Sequence, residues 1–191
     1  GRPEVRVGQL IVPSDSPNIC ESKSLKLFLN SLANEVFKSD IEAKNRIVND
    51  LTPILGVMPS FDLFSVSDSR FLVGSLDGIC LDHLAVNVAV YTPNADLLQV
   101  DPHARGKDSL FTHLFRSNCP VTNQPDWATV FVEYESKRRV YPESLLAYLI
   151  SYRGHIGFHE ACVERIFRDL MELLDPEELT VWAGFMRRGG L

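Results

Sequence analysis

The stretch SLFTHLFRSNCPVTNQPDWATVFVEY, residues 109–134, decides the fold class. It predicts two strands, near Ser109–Phe115 and Ala128–Tyr134, and the second strand alternates apolar and polar residues. A polar segment that contains two prolines separates the strands. Prolines constrain a loop of this kind, which can then present a side chain to a cleft.

Helical periodicity follows the strands in each part of the chain. An apolar stripe from Leu25 to Val36 predicts a helix capped by Ser22 or Ser24. Three more helices are predicted at residues 40–51, 142–152 and 158–174, and further strands at residues 5–12, 57–64, 71–76, 84–91 and 179–185. Because strands and helices are segregated, the pattern favours an α+β fold with antiparallel sheets over a doubly wound parallel fold.

The amino-acid composition limits the classes of protein to which this chain can belong. The 191 residues carry 19 Lys and Arg against 25 Asp and Glu, a net charge of −6, and 45% of them are hydrophobic. The chain therefore has material for a core, and no apolar run approaches the roughly 18 residues of a membrane span. An acidic balance without a basic stripe argues against direct nucleic-acid binding. Four widely spaced cysteines favour reduced thiols in a cytoplasmic protein.

The loop around Cys119 is the first candidate for chemistry. A thiolate is the strongest nucleophile among ordinary side chains, and a nearby acid could supply protons to whatever it attacks. A single cysteine is more often a buried apolar residue, which remains the alternative interpretation. Cys162 lies on the apolar stripe of a predicted helix and is interpreted as a core residue.

Three further segments carry polar groups in informative patterns. Lys23 and Lys26 at a helix N-terminus suggest a phosphate site, or alternatively a solvated first turn. The segment HIGFHE, residues 155–160, has two histidines four apart, as in some helical metal sites, but its glycines weaken a helix and no third ligand is evident. Glu160 could instead accept paired N–H groups from a guanine-like heterocycle. The segment RRGG, residues 187–190, combines two guanidinium groups with flexible backbone that a polyanion could approach.

Four separated motifs occur together in this chain: ESKSLKLF (21–28), SNC (117–119) with QPDW (124–127), FHE (158–160) with CVERI (162–166), and RRGG (187–190). In this order they resemble the 7-cyano-7-deazaguanine reductases, the NADPH-dependent nitrile reductases of queuosine biosynthesis. The chain is similar to the long form of the family across nearly its whole length. That form has two tandem tunnelling-fold (T-fold) halves, whose antiparallel sheets carry paired helices on one face.

The resemblance implies a reaction and its residues. Cys119 would add to the nitrile carbon to give a covalent thioimide, Asp126 would supply protons, and two NADPH would deliver hydrides in succession. The residues that would hold the deazaguanine ring are Cys20, Glu21, Ser22, His159 and Glu160. Those that would contact NADPH are Ser22, Lys23, Lys26, Arg187, Arg188 and Gly189, and no metal is implied.

The resemblance also implies an organisation. Residues 1–80 would form the N-terminal T-fold half with the Glu-Ser-Lys motif, and residues 81–191 the C-terminal half with Cys119 and Asp126. A homodimer and a small-molecule deazapurine substrate are expected. Long-form relatives extend beyond both ends, so we expect this chain to be part of such a protein. The alternatives are a non-catalytic purine- or pterin-binding T-fold protein, and a zinc-dependent T-fold hydrolase that uses Cys119, His159 and Glu160.

Overall fold

The computed structural model describes residues 4–71 and 74–186, and the chain divides into two compact units, Gly1–Ser75 and Leu76–Leu191. In the first unit, strand β1 (Arg6–Ile11) pairs antiparallel with β2 (Ser60–Ser65). Helices α1 (Ser22–Ser31) and α2 (Asp40–Leu55) lie between these strands in sequence. A small apolar core consists of Leu32 in the 3₁₀ turn after α1, Ile47, Leu51 and Leu55 of α2, and Phe61 of β2, and half-buried residues of α1 pack against it.

The ends of the first two helices differ from the sequence prediction. The N-cap of α1 is Glu21, not Ser22 or Ser24, because its carboxylate accepts the N–H groups of Lys23 and Ser24. The second helix continues through Pro53 instead of stopping before it. Pro53 has no N–H to donate to the carbonyl four residues earlier, so this part of the helix has one hydrogen bond fewer. Gly56, at φ +77°, then ends the helix in the left-handed conformation that glycine adopts without strain.

The second unit is built on a four-stranded sheet. Its strands in chain order are β3 (Ile79–Cys80), β5 (Gly106–Asn118), β6 (Pro125–Ser136) and β8 (Glu178–Phe185), and this is also their spatial order. The short strands β4 (Val100–Asp101) and β7 (Arg139–Val140) form a separate antiparallel pair. All pairings are antiparallel except that of β3 with β5.

Two helices cover one face of this sheet. Helices α3 (Pro142–Ile150) and α4 (His159–Leu174) share one apolar core with the buried face of β6, whose residues Ala128, Val130, Val132 and Tyr134 alternate with exposed or half-buried ones. The predicted α+β class with antiparallel sheets is therefore confirmed. No helix among the described residues is both long and apolar enough to cross a membrane.

One predicted strand is wrong, because residues 84–91 have no regular structure. Of the strand predicted at residues 71–76, residue 71 ends a short 3₁₀ turn and residues 74–76 are irregular, while residues 72–73 lie outside the described residues. Leu84 and Val86 nevertheless pack against the core of the second unit. Apolar residues alternate along this segment because one side of the chain is buried. A buried segment need not form backbone hydrogen bonds with a neighbouring strand.

Candidate active site

The two predicted catalytic residues lie at the same end of the β5–β6 hairpin. Cys119 directly follows β5, and its N–H donates to the carbonyl of Gln124 at 2.9 Å, closing the turn. Asp126 is the second residue of β6 and is directly opposite Ser117. Cys119 is 0% exposed and Asp126 3% exposed. The loop was predicted to present the thiol of Cys119 to a cleft, but in the structure this thiol is buried.

The turn itself depends on one unusual backbone conformation. Asn123 has φ +53°, in the left-handed region that asparagine tolerates better than most residues. Its N–H donates to the carbonyl of Cys119 at 2.8 Å. The carbonyl and the N–H of Cys119 are therefore both fixed within the loop, which sets the position of the thiol relative to β6.

Asn118 joins the end of β5 to the segment that leads into α4. Its N–H donates to the carbonyl of His155 at 2.8 Å, and its carbonyl accepts the N–H of Gly157 at 3.1 Å. Its side-chain amide donates to the carbonyl of Arg153 at 3.1 Å and accepts from Arg116 at 3.0 Å. Because α4 begins only two residues after this segment, Asn118 fixes the first turn of α4 beside Cys119.

His159, the first residue of α4, reaches Asp126. Its Nε2 lies 3.1 Å from Asp126 Oδ2, and both side chains are largely buried. A bare imidazole nitrogen facing a bare carboxylate oxygen at this distance would be repulsive. A proton on either atom would instead let one group donate to the other. The ring of His159 stacks on Phe185 of β8, with centroids 3.8 Å apart and planes 4° apart, which fixes its orientation.

Cys162 has the surroundings of an inert thiol. It is 1% exposed on the core face of α4, as predicted. Burial raises the pKa of its thiol to about 11, although the hydroxyl of Ser117 acts in the opposite direction. Cys162 is therefore protonated at neutral pH, so it does not compete with Cys119 as a nucleophile.

The two-histidine metal pattern does not form. His155 precedes α4 in an extended conformation, so it does not share a helical face with His159. Burial and the nearby charge of Arg165 lower the pKa of His155. Glu160 is half-buried in the first turn of α4. Across residues 4–71 and 74–186, the one group of three potential metal ligands is elsewhere, at Cys80, Asp82 and His113.

The candidate residues of the first unit lie at the start of α1. Cys20 and Glu21 precede the helix, Ser22 is its first residue, and Lys23 and Lys26 follow within it, all half-buried. Burial opposes ionisation of Glu21. The hydrogen bonds from Lys23 and Ser24 and the charge of Lys23 outweigh this effect and lower the pKa of the Glu21 carboxyl. Arg187, Arg188 and Gly189 lie outside the described residues.

Three residues of this site have positions that their sequence context did not reveal. Ser117 and Asn118 belong to a quoted motif, but only the strand register and the link to residues 153–157 show what they contact. Phe185 closes the last strand, and nothing in its local sequence indicates that it stacks on His159. Each of these contacts joins elements that are distant in the chain.

Comparison with known proteins gives a consistent result. A family model described as "Nitrile reductase, 7-cyano-7-deazaguanine-reductase N-term" matches residues 1–59, and one described as "QueF-like protein" matches residues 125–191. The NADPH-dependent 7-cyano-7-deazaguanine reductase of Teredinibacter turnerae is 48% identical over 191 residues, which cover 100% of this chain and 68% of the relative. The protein of the same description from Acinetobacter baumannii is 45% identical over 192 residues, covering 100% and 70%.

Proposed function

The chain belongs to the family of NADPH-dependent 7-cyano-7-deazaguanine reductases, and we propose that it reduces the nitrile through a covalent intermediate on Cys119. The resemblance inferred from the four motifs is thus confirmed by the comparisons. The reaction belongs to queuosine biosynthesis and its reductant is NADPH. The observation that carries the proposed mechanism is the placement of Cys119, Asp126 and His159 at one end of the β5–β6 hairpin.

Cys119 acts as the nucleophile. Its sulfur bonds to the nitrile carbon, one C–N π bond breaks, and the nitrile nitrogen takes up a proton to give a thioimide. A nitrile accepts hydride poorly, whereas a protonated C=N group is far more electrophilic. The buried position of Cys119 excludes water that would hydrolyse the thioimide.

Asp126 and His159 hold and deliver the proton. Asp126 Oδ2 and His159 Nε2 lie 3.1 Å apart, so a proton shared between them would be available to the nitrile nitrogen without drawing on bulk water. Stacking on Phe185 keeps the His159 ring in one plane during this transfer. Asn118, which fixes the segment before α4, keeps His159 in register with Cys119.

The substrate ring is held by hydrogen bonds to charged groups. Glu160 accepts the paired N–H groups of the deazaguanine, a geometry in which a carboxylate makes two strong hydrogen bonds. His159 contributes a ring nitrogen on the same helical turn. Cys20, Glu21 and Ser22 complete the proposed binding set. The carboxylate of Glu21 retains acceptor capacity beyond its capping bonds, since each oxygen has two lone pairs.

Two molecules of NADPH, bound in succession, would supply the two hydrides that convert the thioimide carbon to an aminomethyl group, and the bond between this carbon and the Cys119 sulfur would break. The residues near the start of α1 fit the anionic groups of NADPH, because Lys23 and Lys26 are half-buried residues three positions apart on one side of a helix. Ser22 adds a hydroxyl donor. The remaining proposed contacts are Arg187, Arg188 and Gly189.

We further propose the family's architecture and assembly for this chain. Each unit would be one T-fold half, with the division near residue 80, and both would be needed for activity. The protein would form a homodimer, for which β8 offers a suitable edge because β6 is its one partner among the described strands. Its ligand would be the free base with no direct nucleic-acid contact, and its location would be the cytoplasm.

A covalent mass increment tests the mechanism. The protein is mixed with 7-cyano-7-deazaguanine without NADPH, and the intact mass is measured. We expect an increase equal to the mass of one substrate molecule, absent in Cys119→Ala. The matched control is Cys162→Ala, which removes the other buried thiol of this unit and should retain the adduct. An adduct that survives Cys119→Ala, or no adduct in the unaltered protein, would refute the assignment.

A further inference from the structure

A second group of reactive side chains lies away from the proposed reductase site. Cys80 Sγ, a carboxylate oxygen of Asp82 and a ring nitrogen of His113 all lie within 4.8 Å of one another. Within residues 4–71 and 74–186, this is the one such group of three. Cys80 and Asp82 are half-buried and His113 is exposed. None of the three has a role in the proposed nitrile reduction.

A bulge in β5 brings the group together. Thr112 pairs with Val130 and Phe115 with Ala128, so β5 contains one more residue than β6 between these pairs. His113 lies in this bulge, and its N–H donates to Asp82 Oδ1 at 3.1 Å. The parallel pairing of β3 with β5 places Cys80 beside the same point of the strand. Such a bulge redirects a side chain at the expense of ladder hydrogen bonds, and Asp82 restores one of them.

The side chains are held in orientations that suit a metal ligand set. Asp82 Oδ1 also accepts the hydroxyl of Thr112 at 2.6 Å, so this oxygen is occupied and Oδ2 faces fewer donors. His113 Nδ1 lies 2.8 Å from Thr129 Oγ1. A metal-binding histidine characteristically makes such a hydrogen bond with one ring nitrogen and coordinates with the other, here Nε2. Thr112 thus positions Asp82, and Thr129 positions His113.

We propose that Cys80, Asp82 and His113 bind a divalent transition-metal ion, Zn²⁺ in the first instance, with water as the fourth ligand. One sulfur, one imidazole nitrogen and one carboxylate oxygen form a mixed set that zinc accepts in tetrahedral geometry. Binding converts the Cys80 thiol to a thiolate and releases its proton to solvent. The ion links β3, which pairs with β5 through two residues, to the centre of β5. Its role is therefore to secure this edge of the sheet.

The ring of His113 contacts the side of the sheet opposite Asp126. Thr129, which contacts His113, alternates along β6 with Ala128 and Val130, whose side chains are buried on the same face as Asp126. Zinc binding and nitrile reduction can therefore be measured separately. Cys119→Ala is the appropriate background for metal titration, because it removes the thiol proposed for catalysis and leaves the metal ligands intact.

Titration with Co²⁺ followed by competition with Zn²⁺ tests the proposal. In Cys119→Ala protein we expect one Co²⁺ per chain with a thiolate-to-cobalt charge-transfer band, displaced by Zn²⁺. Adding Cys80→Ser should abolish the band, and His113→Ala should weaken zinc affinity at least about 100-fold. His103→Ala is the matched control, because His103 is an exposed histidine outside the group and should leave binding unchanged.

A second readout separates coordination from a general effect on folding. Thr129→Val keeps the shape of the side chain and removes the oxygen that positions His113, so zinc affinity should fall about 10- to 100-fold. Zinc should also raise the melting temperature of the Cys119→Ala protein, and Cys80→Ser should not respond. Absence of stoichiometric binding in the Cys119→Ala protein, or binding unchanged by Cys80→Ser and His113→Ala in well-folded protein, would overturn the proposal.

Discussion

Replacing Asp126 by asparagine is the most direct test of how the site handles protons. The amide has nearly the same shape as the carboxyl group, so packing on the buried face of β6 should be preserved. The amide cannot take up and release the proton that we propose the Asp126–His159 pair shares between Oδ2 and Nε2, which are 3.1 Å apart. Substrate binding through Glu160 should be almost unaffected.

The size of the effect follows from the burial of the pair. Asp126 is 3% exposed, so bulk water cannot take over its role without a rearrangement of the hairpin. A positioned general acid contributes about 10²- to 10⁴-fold to rate, which corresponds to about 2.7–5.5 kcal/mol of barrier. We therefore expect the turnover number of Asp126→Asn to fall by that factor. Because His159 shares the same proton, Asp126→Asn combined with His159→Ala should cost little more than the worse single change.

Three measurements distinguish this role from a structural one. Steady-state oxidation of NADPH gives the turnover number and KM, and the intact mass followed over time gives the rate of adduct formation. Urea unfolding of Asp126→Asn should show a midpoint close to that of the unaltered protein. Turnover within about fivefold of normal, or losses that multiply in the double variant, would remove the pair from the proton-transfer step.

Three other substitutions probe neighbouring features. Glu160→Gln replaces a hydrogen-bond acceptor with a group that is partly a donor. Substrate should therefore bind about 2–4 kcal/mol more weakly in equilibrium titration. An unchanged dissociation constant would contradict the proposed role of Glu160 in holding the substrate ring. Asn118→Ala leaves the carbonyl of Arg153 without its side-chain donor. The free energy of unfolding, measured in urea, should therefore fall by about 1–3 kcal/mol. An unchanged free energy of unfolding would show that this hydrogen bond contributes nothing to stability. Glu21→Ala should cost about 0.5–2 kcal/mol at neutral pH. Since folding lowers the pKa of Glu21 from its ordinary value of 4.5, this difference should disappear as pH falls through the folded pKa, and a difference that persists in strong acid would refute the capping contribution.

The elements that local pattern determines were predictable. The alternation in residues 128–134 and the stripe of α4 require only neighbours in sequence, and both elements formed as predicted. Residues 84–91 show where this reasoning fails, because the same alternation arises when a chain without strand partners lies against a core. The end of α2 beyond Pro53 was missed because a proline usually ends or bends a helix, whereas α2 continues for two residues past Pro53 without the N–H donor that proline lacks.

The site was predictable in chemistry but not in geometry. The types and order of the motifs indicated a thiol and an acid, and hairpin pairing brought both to one end of two strands. The contact of His159 with Asp126 and its stacking on Phe185 depend on how α4 and β8 pack, which the sequence alone does not reveal. The bulge that turns His113 toward Asp82 was likewise not visible, since an extra residue in one strand appears only when its partner is aligned with it.

The complete burial of Cys119 has a consequence for damage as well as for catalysis. Peroxides and alkylating agents in the cell attack thiolates that they can reach, whatever the intrinsic nucleophilicity of the sulfur. Cys119 is 0% exposed, so a reagent reaches its sulfur only when the surrounding structure opens. Oxidation and alkylation of this thiol should therefore be slow in the folded protein, whatever its intrinsic reactivity.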